Sequence, residues 1–485
     1  MQQVEQALSV LWTTQNAAER AQANDWLTAF QESAAAWEAC ASLLSAGSTD
    51  DTRLFGCTVL CNKLRRGCEL PPAEQGALRR HLAAQLAAVA PGRLRAQLCR
   101  AVASLVIDSG QGEHPTMAML ASAEFGALRA DALLEVLALV PECGAFLSDG
   151  EVLAIQELLL EVLDHACSEA APWPAKLPPA AAPTQRSAAY RGIATHCLGK
   201  WAALPNSEGV SLAMLAEAAC WPALVAAVSG ADGAAAQRAA AELCTAALER
   251  EPTVPADDAL AAAAAAMTMP FVPQALQLSL LTGLCDALQP LANSAAVPPP
   301  NGADADGDDD DDDEADGEAA EAQVALLSLA AGLLSRGSSV LAAGSRSPPA
   351  ALQLLRVLVL CSGHRRRRVC EALIASEVWT GERSLLRVAA GWAGEADLSA
   401  QLRDTLGATL RARAALPSDS TLARWGAADV EEWTTFRDSY LSEPLAELAR
   451  ADAVASVRHA LEQLSLRAAM VDTTGDGQAD TIVPK

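Results

Sequence analysis

The chain has 485 residues and a net charge of −25, and 51% of it is apolar although only 4% is aromatic. This acidic balance argues against direct nucleic-acid binding, which needs a basic face for phosphate, and suits a protein whose partners are basic. Alanine and leucine dominate and β-branched residues are scarce, so we expect an all-α fold.

The compartment follows from the cysteines and the amino terminus. Thirteen cysteines without paired spacing, in a chain that begins without a secretion signal, indicate reduced thiols in the cytosol or nucleus. The apolar run 259–272 is too short for a membrane span and contains Pro270, so we expect no membrane insertion.

Apolar residues recur at helical spacing along most of the chain, with short breaks between segments. The predicted helices cover 4–12, 18–33, 52–66, 72–89, 93–107, 125–140, 151–167, 185–204, 351–363, 365–379 and 430–450. Helix, turn and helix repeat at about 40 residues per pair, the size of HEAT and armadillo repeats. We therefore predict a HEAT/armadillo-type α-solenoid, a right-handed superhelix of antiparallel helix pairs with a concave inner wall, and regard a helical bundle as the alternative.

The first repeats hold an unusual concentration of aromatic residues. Trp26, Phe30, Ser33 and Trp37 are spaced by 4, 3 and 4, which places them on one stripe of a helix, or of two helices broken near Ser33. We expect the three aromatic side chains to fill the seam between the first two repeats.

Two segments do not look like packed structure. Residues 298–322 include twelve acidic residues between Asp304 and Glu321, and we predict a disordered acidic loop there. It is either a solvated insertion or a region that attracts basic cargo. A shorter loop is predicted at 335–350.

Several fragments resemble, in order, the importin-β-type nuclear transport receptors, especially the transportin-SR and importin-thirteen branch. The first pattern is Trp26, Leu27, Phe30, Gln31, Ser33, Ala36, Trp37, Leu43 and Leu44, followed by Phe55, Leu60, Lys63 and Leu64. Similar fragments follow at 69–82, at 133–143, at Cys197, Leu198, Gly199 and Trp201, at 356–364 with Trp379, and at Phe436 and Arg437. Family members are about twice as long, so the chain resembles their amino-terminal half.

The resemblance implies a domain order. Residues 1–110 would be the importin amino-terminal repeats that bind Ran, and 111–297 and 323–467 would be further HEAT repeats. The acidic loop 298–322 would interrupt them, and 468–485 would be a disordered tail.

It also implies a function: a karyopherin that shuttles between cytoplasm and nucleus through the nuclear pore and contacts nucleoporins. The expected role is import of protein cargo, including basic or Arg/Ser-rich cargo. Ran-GTP would bind the first repeats, where the basic candidates are Lys63, Arg65, Arg66, Arg79 and Arg80, with Arg93 and Arg95 close behind. The alternative for each is a basic residue that complements a helix carboxyl end. A protein-interaction scaffold, or a truncated receptor without Ran binding, is the competing function.

Three further motifs leave alternatives open. The run at 364–372, with four arginines, is a nuclear-localisation or phosphate-binding patch or an exposed helix start. Cys57 and Cys61, with Cys68 and His81 downstream, could belong to a zinc site. Zinc usually needs two close-spaced pairs of ligands and only one is visible, so buried core thiols are favoured. Residues 472–480 follow calcium-loop spacing without the final glutamate, which favours a disordered tail.

No sequence signature of catalysis is present: no phosphate-binding glycine loop and no nucleophile or metalloprotease motif. We therefore expect neither an enzyme nor a bound cofactor or metal.

Overall fold

The structure is a computed structural model. It describes residues 2–45, 49–65, 72–108, 115–122, 125, 128–143, 147–177, 187–205, 209–250, 274–295, 314–342, 349–361, 373, 404, 406, 407, 410, 426–451 and 461. All regular structure in these ranges is helical. The chain divides into two compact units, residues 1–252 and 253–485, which are described separately below.

The first unit contains thirteen α-helices among its described residues. They are α1 Gln2–Thr13, α2 Ala17–Glu32, α3 Ala34–Leu43, α4 Asp50–Arg65, α5 Pro72–Ala88, α6 Arg93–Asp108, α7 Pro115–Leu120, α8 Ala130–Leu139, α9 Asp149–Cys167, α10 Ala188–Ala202, α11 Leu212–Glu217, α12 Trp221–Val228 and α13 Ala234–Glu249. A short 3-10 turn, Pro141–Cys143, follows α8.

The helices of this unit pack as two rows. We call α4, α6, α8, α10 and α13 the B row, in which each helix packs against the next. We call α3, α5, α9 and α12 the A row, in which each helix packs against the B-row helix that follows it in the pairs α3–α4, α5–α6, α9–α10 and α12–α13. Each repeat thus buries its apolar face against its neighbours, which confirms the predicted all-α, HEAT-type solenoid. Its handedness stays a prediction.

Of the two alternatives for residues 26–37, the structure has two helices with a break at Ser33, and the break has a local cause. Ser33 is extended, with φ −72° and ψ 157°, and ends α2. Its hydroxyl donates to the Phe30 carbonyl at 2.7 Å and accepts from the Ala36 amide at 3.3 Å. One serine side chain therefore satisfies groups at the end of α2 and at the start of α3.

The seam between the first repeats is filled by aliphatic residues and Phe55. Its buried members are Val4, Leu8, Leu27, Ala36, Leu43, Phe55 and Val59. Phe30 packs partly buried against them, as predicted, whereas the prediction for Trp26 is wrong: it is 37% exposed. Ala23, Leu27 and Phe30 form the stripe of α2 that faces the core. The Trp26 ring stacks on the Phe30 ring, with 5.5 Å between the ring centroids. The Trp37 side chain lies outside the described residues.

Trp201 joins two B-row helices. It is fully buried, and its indole nitrogen donates to the Leu137 carbonyl of α8 at 2.9 Å. The Trp201 backbone carbonyl in turn accepts a hydrogen bond from the side-chain Nε2 atom of Gln156, in α9, at 2.7 Å. The indole therefore fills the core and has its polar atom satisfied, which agrees with the structural role predicted for it.

The second unit is described mainly by five helices. They are α14 Gln274–Ala295, α15 Glu314–Ala342, α16 Pro349–Cys361, α17 Ala427–Phe436 and α18 Ser442–Ala451, with a π-helical turn, Arg437–Leu441, between the last two. Helices α14, α15 and α16 pack against one another. Phe436 is buried. Trp379, the arginine run and the calcium-loop-like segment lie outside the described residues.

Both loop predictions were too long. Helix α15 begins at Glu314, so residues 314–322 are helical rather than part of the acidic loop. Carboxylates in the first turn favour a helix because they lie near the positive end of its dipole. The prediction considered only the repulsion among the acidic residues and so placed the end of the loop too late. The same helix continues to Ala342, through half of the loop predicted at 335–350. Within α15, Gly317–Leu334 is long and apolar enough to span a membrane, but half of that window is buried in the protein.

Candidate partner-binding site

Lys63 has a structural role. Its side chain is 7% exposed. The ammonium group donates to the carbonyls of Glu32 and Ser33 at 3.1 and 2.8 Å. These carbonyls stand at the carboxyl end of α2, where backbone acceptors lack helical partners. Lys63 therefore ties α4 to the end of α2, and little of its charge is available to a partner.

Arg79 and Arg80 belong to the A row, on α5. A ring nitrogen of the adjacent His81 lies 3.2 Å from the carbonyl oxygen of Leu44, just beyond α3, so this part of α5 stands beside α3. Arg80 is exposed, whereas Arg79 is half-buried. The structure thus separates these two arginines from the B-row surface on which Arg65 lies. Arg66 lies outside the described residues.

Arg65 and Arg100 lie on two neighbouring helices of the B row. Arg65 is the last residue of α4 and Arg100 lies in the middle of α6, and both are exposed. Each lies close enough to the thiols of Cys61 and Cys143 for its charge to lower their pKa, although burial outweighs this effect. Neither arginine has an acidic partner in the part of the chain that the structure describes. We call Arg65 and Arg100 the arginine pair.

Two other basic residues on the B row, Arg95 and Lys200, form ion pairs, unlike Arg65 and Arg100. Arg95 of α6 is buried and forms ion pairs with Asp131 at 3.0 Å and Glu135 at 2.8 Å, both on α8. Lys200 pairs with Glu142 at 2.9 Å. Arg95 is therefore a link between repeats rather than a binding residue, whereas Arg65 and Arg100 carry uncompensated positive charge.

Sequence reasoning missed Arg100 although a signal for it was present. Cys61 and Arg65 are four residues apart on α4, and Arg100 and Ser104 are four apart on α6, so each pair shares a helix face. Successive second helices of HEAT repeats stand side by side, which brings the two faces together. Arg93, at the start of α6, is also exposed.

The cysteines Cys57 and Cys61 are buried, as core thiols were predicted to be. Burial raises the pKa of Cys61, and this outweighs the lowering by the Ser104 hydroxyl, Arg65 and Arg100. Among the described residues no group of three or more His, Cys, Asp or Glu is placed to hold a metal ion.

Part of this site lies in a segment that matches a known protein family. Residues 23–86 match the model of the importin-beta N-terminal domain, and this range includes Arg65. Among solved structures the chain is similar to a crystal structure of a Kap121p mutant, with 14% identity and a TM-score of 0.36. That match covers 93% of this chain and 50% of the other, so the chain spans half the length of that structure. No curated protein sequence matches the chain.

Proposed function

We propose that the chain is a nuclear transport receptor of the importin-β superfamily and that the B-row surface around α4 and α6 binds Ran in its GTP form. The observation that carries the proposal is the match of residues 23–86 to the importin-beta N-terminal domain, which supports the superfamily. The finer resemblance, to the transportin-SR branch, rests on the sequence fragments alone and is part of the proposal.

The arginine pair gives the proposed interface a chemistry. Two exposed guanidinium groups on neighbouring helices, without acidic partners among the described residues, leave a positive surface. A partner that presents carboxylates there would gain charge-assisted hydrogen bonds. Arg65 therefore stays among the candidate contacts and Arg100 joins it. Lys63 and Arg95 leave them, because both make contacts inside the protein.

Charge reversal tests this placement. The double variant Arg65→Glu/Arg100→Glu should weaken binding to Ran loaded with a non-hydrolysable GTP analogue by at least about tenfold, since close interfacial charge pairs couple strongly. Arg80→Glu is the control, because Arg80 is an exposed arginine of the A row. It should change the affinity less than about twofold. Equal losses in both variants, measured by biolayer interferometry, would place the interface elsewhere.

The cargo would be a protein with basic segments. The chain carries a net charge of −25, and attraction between opposite charges speeds the encounter with lysine- and arginine-rich segments. Import requires that Ran-GTP and cargo weaken each other's binding, whereas export requires that they strengthen it. A titration of Ran-GTP into a complex with a basic cargo peptide therefore tests the proposed import direction. Contact with nucleoporins and shuttling between cytoplasm and nucleus follow from the same proposal.

The competing function is a helical-repeat scaffold, or a truncated receptor, without Ran binding. The repeats alone would suit it, because a solenoid offers an extended surface to any partner. Such a scaffold would be indifferent to the nucleotide bound to Ran. The match at residues 23–86 favours the receptor.

A further inference from the structure

Two cysteines from different repeats reach one hydroxyl group. The Oγ atom of Ser104, on α6, lies 4.0 Å from the Sγ atom of Cys61, on α4. The same oxygen lies 3.6 Å from the Sγ atom of Cys143, the last residue of the 3-10 turn after α8. We call Cys61, Ser104 and Cys143 the thiol cluster. It brings together side chains from three neighbouring elements.

The thiol cluster differs in its charged neighbours, but not in accessibility, from a second pair of neighbouring thiols, Cys167 and Cys220. Cys143 is partly exposed, whereas Cys61 is buried. Burial raises the pKa of both thiols above its ordinary value; the Ser104 hydroxyl, Arg65 and Arg100 oppose this, and Glu142 adds to it at Cys143. In the second pair, Cys167 is also partly exposed and Cys220 buried.

Acidic groups surround that second pair. The pKa of Cys167 is raised to about 11, chiefly by burial; Arg191 lowers it, and Asp164 and Asp232 raise it. Asp164 also accepts a hydrogen bond from the Cys220 amide at 2.8 Å. A thiolate is therefore less favoured there than beside two arginines, and glutathione, which carries two carboxylates, is repelled.

We propose that Cys61 and Cys143 are a redox-active pair that a low-molecular-weight disulfide converts into an intramolecular disulfide. The accessible Cys143 thiolate attacks one sulfur of glutathione disulfide, whose S–S bond breaks and releases a glutathione thiolate. The Cys61 thiolate then attacks Cys143 sulfur in the mixed disulfide and releases the second glutathione. The two protons leave to solvent or to the glutathione thiolates, so two thiols are oxidised and one disulfide is reduced.

Formation of this bond changes the surface that carries the arginine pair. The two sulfurs must approach to about 2.05 Å, so the Ser104 hydroxyl no longer lies between them as their shared partner. Arg100 shares the α6 face of Ser104, and Arg65 shares the α4 face of Cys61. The disulfide therefore shifts the proposed Ran-binding surface and weakens binding; this consequence, unlike the bond itself, rests on the proposed function.

Peptide mapping tests the bond. The reduced full-length chain is incubated with glutathione disulfide, quenched by alkylation at several times and digested for mass spectrometry. We expect a peptide linked through Cys61 and Cys143 to form at least about threefold faster than any oxidised species of Cys167 or Cys220. Arg65→Gln/Arg100→Gln should slow it by about threefold. The two arginines increase the thiolate fraction, but a thiolate of lower pKa is a weaker nucleophile, so their loss has only this modest effect. Equal rates for the two pairs, or a wild-type reaction that stops at a glutathione adduct on Cys143, would overturn the proposal.

Cysteine variants and binding measurements test the disulfide and its effect on Ran-GTP binding separately. Cys61→Ser should leave Cys143 as the glutathione adduct, and Cys167→Ser should leave the linked peptide unchanged. Oxidised wild-type chain should bind Ran-GTP at least about fivefold more weakly than reduced chain, with recovery after dithiothreitol. If the linked peptide forms and affinity is unchanged, the regulatory consequence is refuted. If even the reduced chain does not bind Ran-GTP, the proposed function fails and the linked peptide still decides the thiol chemistry.

Discussion

Replacement of Lys63 by methionine tests the structural role assigned to this residue. Methionine keeps most of the aliphatic stem but removes the ammonium group that donates to the carbonyls of Glu32 and Ser33. The two hydrogen bonds from this charged donor contribute about 3–6 kcal/mol together, and the cost of burying the ammonium group cancels roughly half of this. We expect a net loss of about 2 kcal/mol in the local stability of the α2–α3 junction.

Hydrogen exchange measures this loss where it occurs. The Ser33 amide donates to the Phe30 carbonyl at 3.0 Å and the Ala36 amide donates to the Ser33 hydroxyl, so both report on the junction. A loss of about 2 kcal/mol corresponds to about thirtyfold faster exchange in a peptide that contains them. Exchange far from the junction, in α10 and α13, should be unchanged.

A matched variant on the same helix completes the test. Arg65→Met removes an exposed charge two residues further along α4 and should change local stability by less than about 0.5 kcal/mol. Its effect should instead appear as weaker binding to Ran-GTP, which Lys63→Met at a temperature where it is folded should leave nearly unchanged. Unaltered exchange in Lys63→Met, or a loss of affinity equal to that of Arg65→Met, would refute the assigned roles.

Three further outcomes follow from the first unit. Leu27→Ala should lower the free energy of unfolding by about 2–5 kcal/mol in urea titrations, whereas Trp26→Ala, which truncates the exposed aromatic, should cost less than half as much. Gly56→Ala should destabilise by about 1–3 kcal/mol in the same assay, because a Cβ atom would lie 2.9 Å from a side-chain carbon of α3; a neutral result would show that α3 can move away. Burial opposes ionisation of Asp131, but the hydrogen bond and charge of Arg95 outweigh it and hold its pKa below the ordinary value. Its contribution is therefore complete above about pH 4 and is lost as pH falls through the lowered pKa, so the stability difference between wild type and Asp131→Asn should shrink below about pH 4 and not stay constant.

Helices and their breaks could be predicted because both are local. Spacing of apolar residues identified the repeats, and Ser33 marked the end of α2 through bonds to residues three positions away on either side. The prediction for Trp26 failed because its spacing to Phe30 fits a helix face equally well whether that face points to the core or lies at its edge. Leu27, one residue on, occupies the buried position.

The site was harder to predict because side chains reach it from distant parts of the sequence. A lysine in the last turn of α4 looks like a dipole-complementing surface charge, but its partners are carbonyls 30 and 31 residues earlier. Arg79 and Arg80 follow Arg65 closely in the sequence, yet they lie on the other row of helices. Only the row assignment separates them, and it also places Arg100 on the same row as Arg65.

The most direct test of the account is the affinity of the purified chain for Ran loaded with a GTP analogue, compared with Ran loaded with GDP. A receptor whose B-row surface recognises the GTP form should bind it at least about tenfold more tightly, which corresponds to about 1.4 kcal/mol. The preference should be reduced in Arg65→Glu/Arg100→Glu and retained in Arg80→Glu. Equal affinity for the two nucleotide forms in the wild-type chain would contradict the proposed transport function and favour the scaffold.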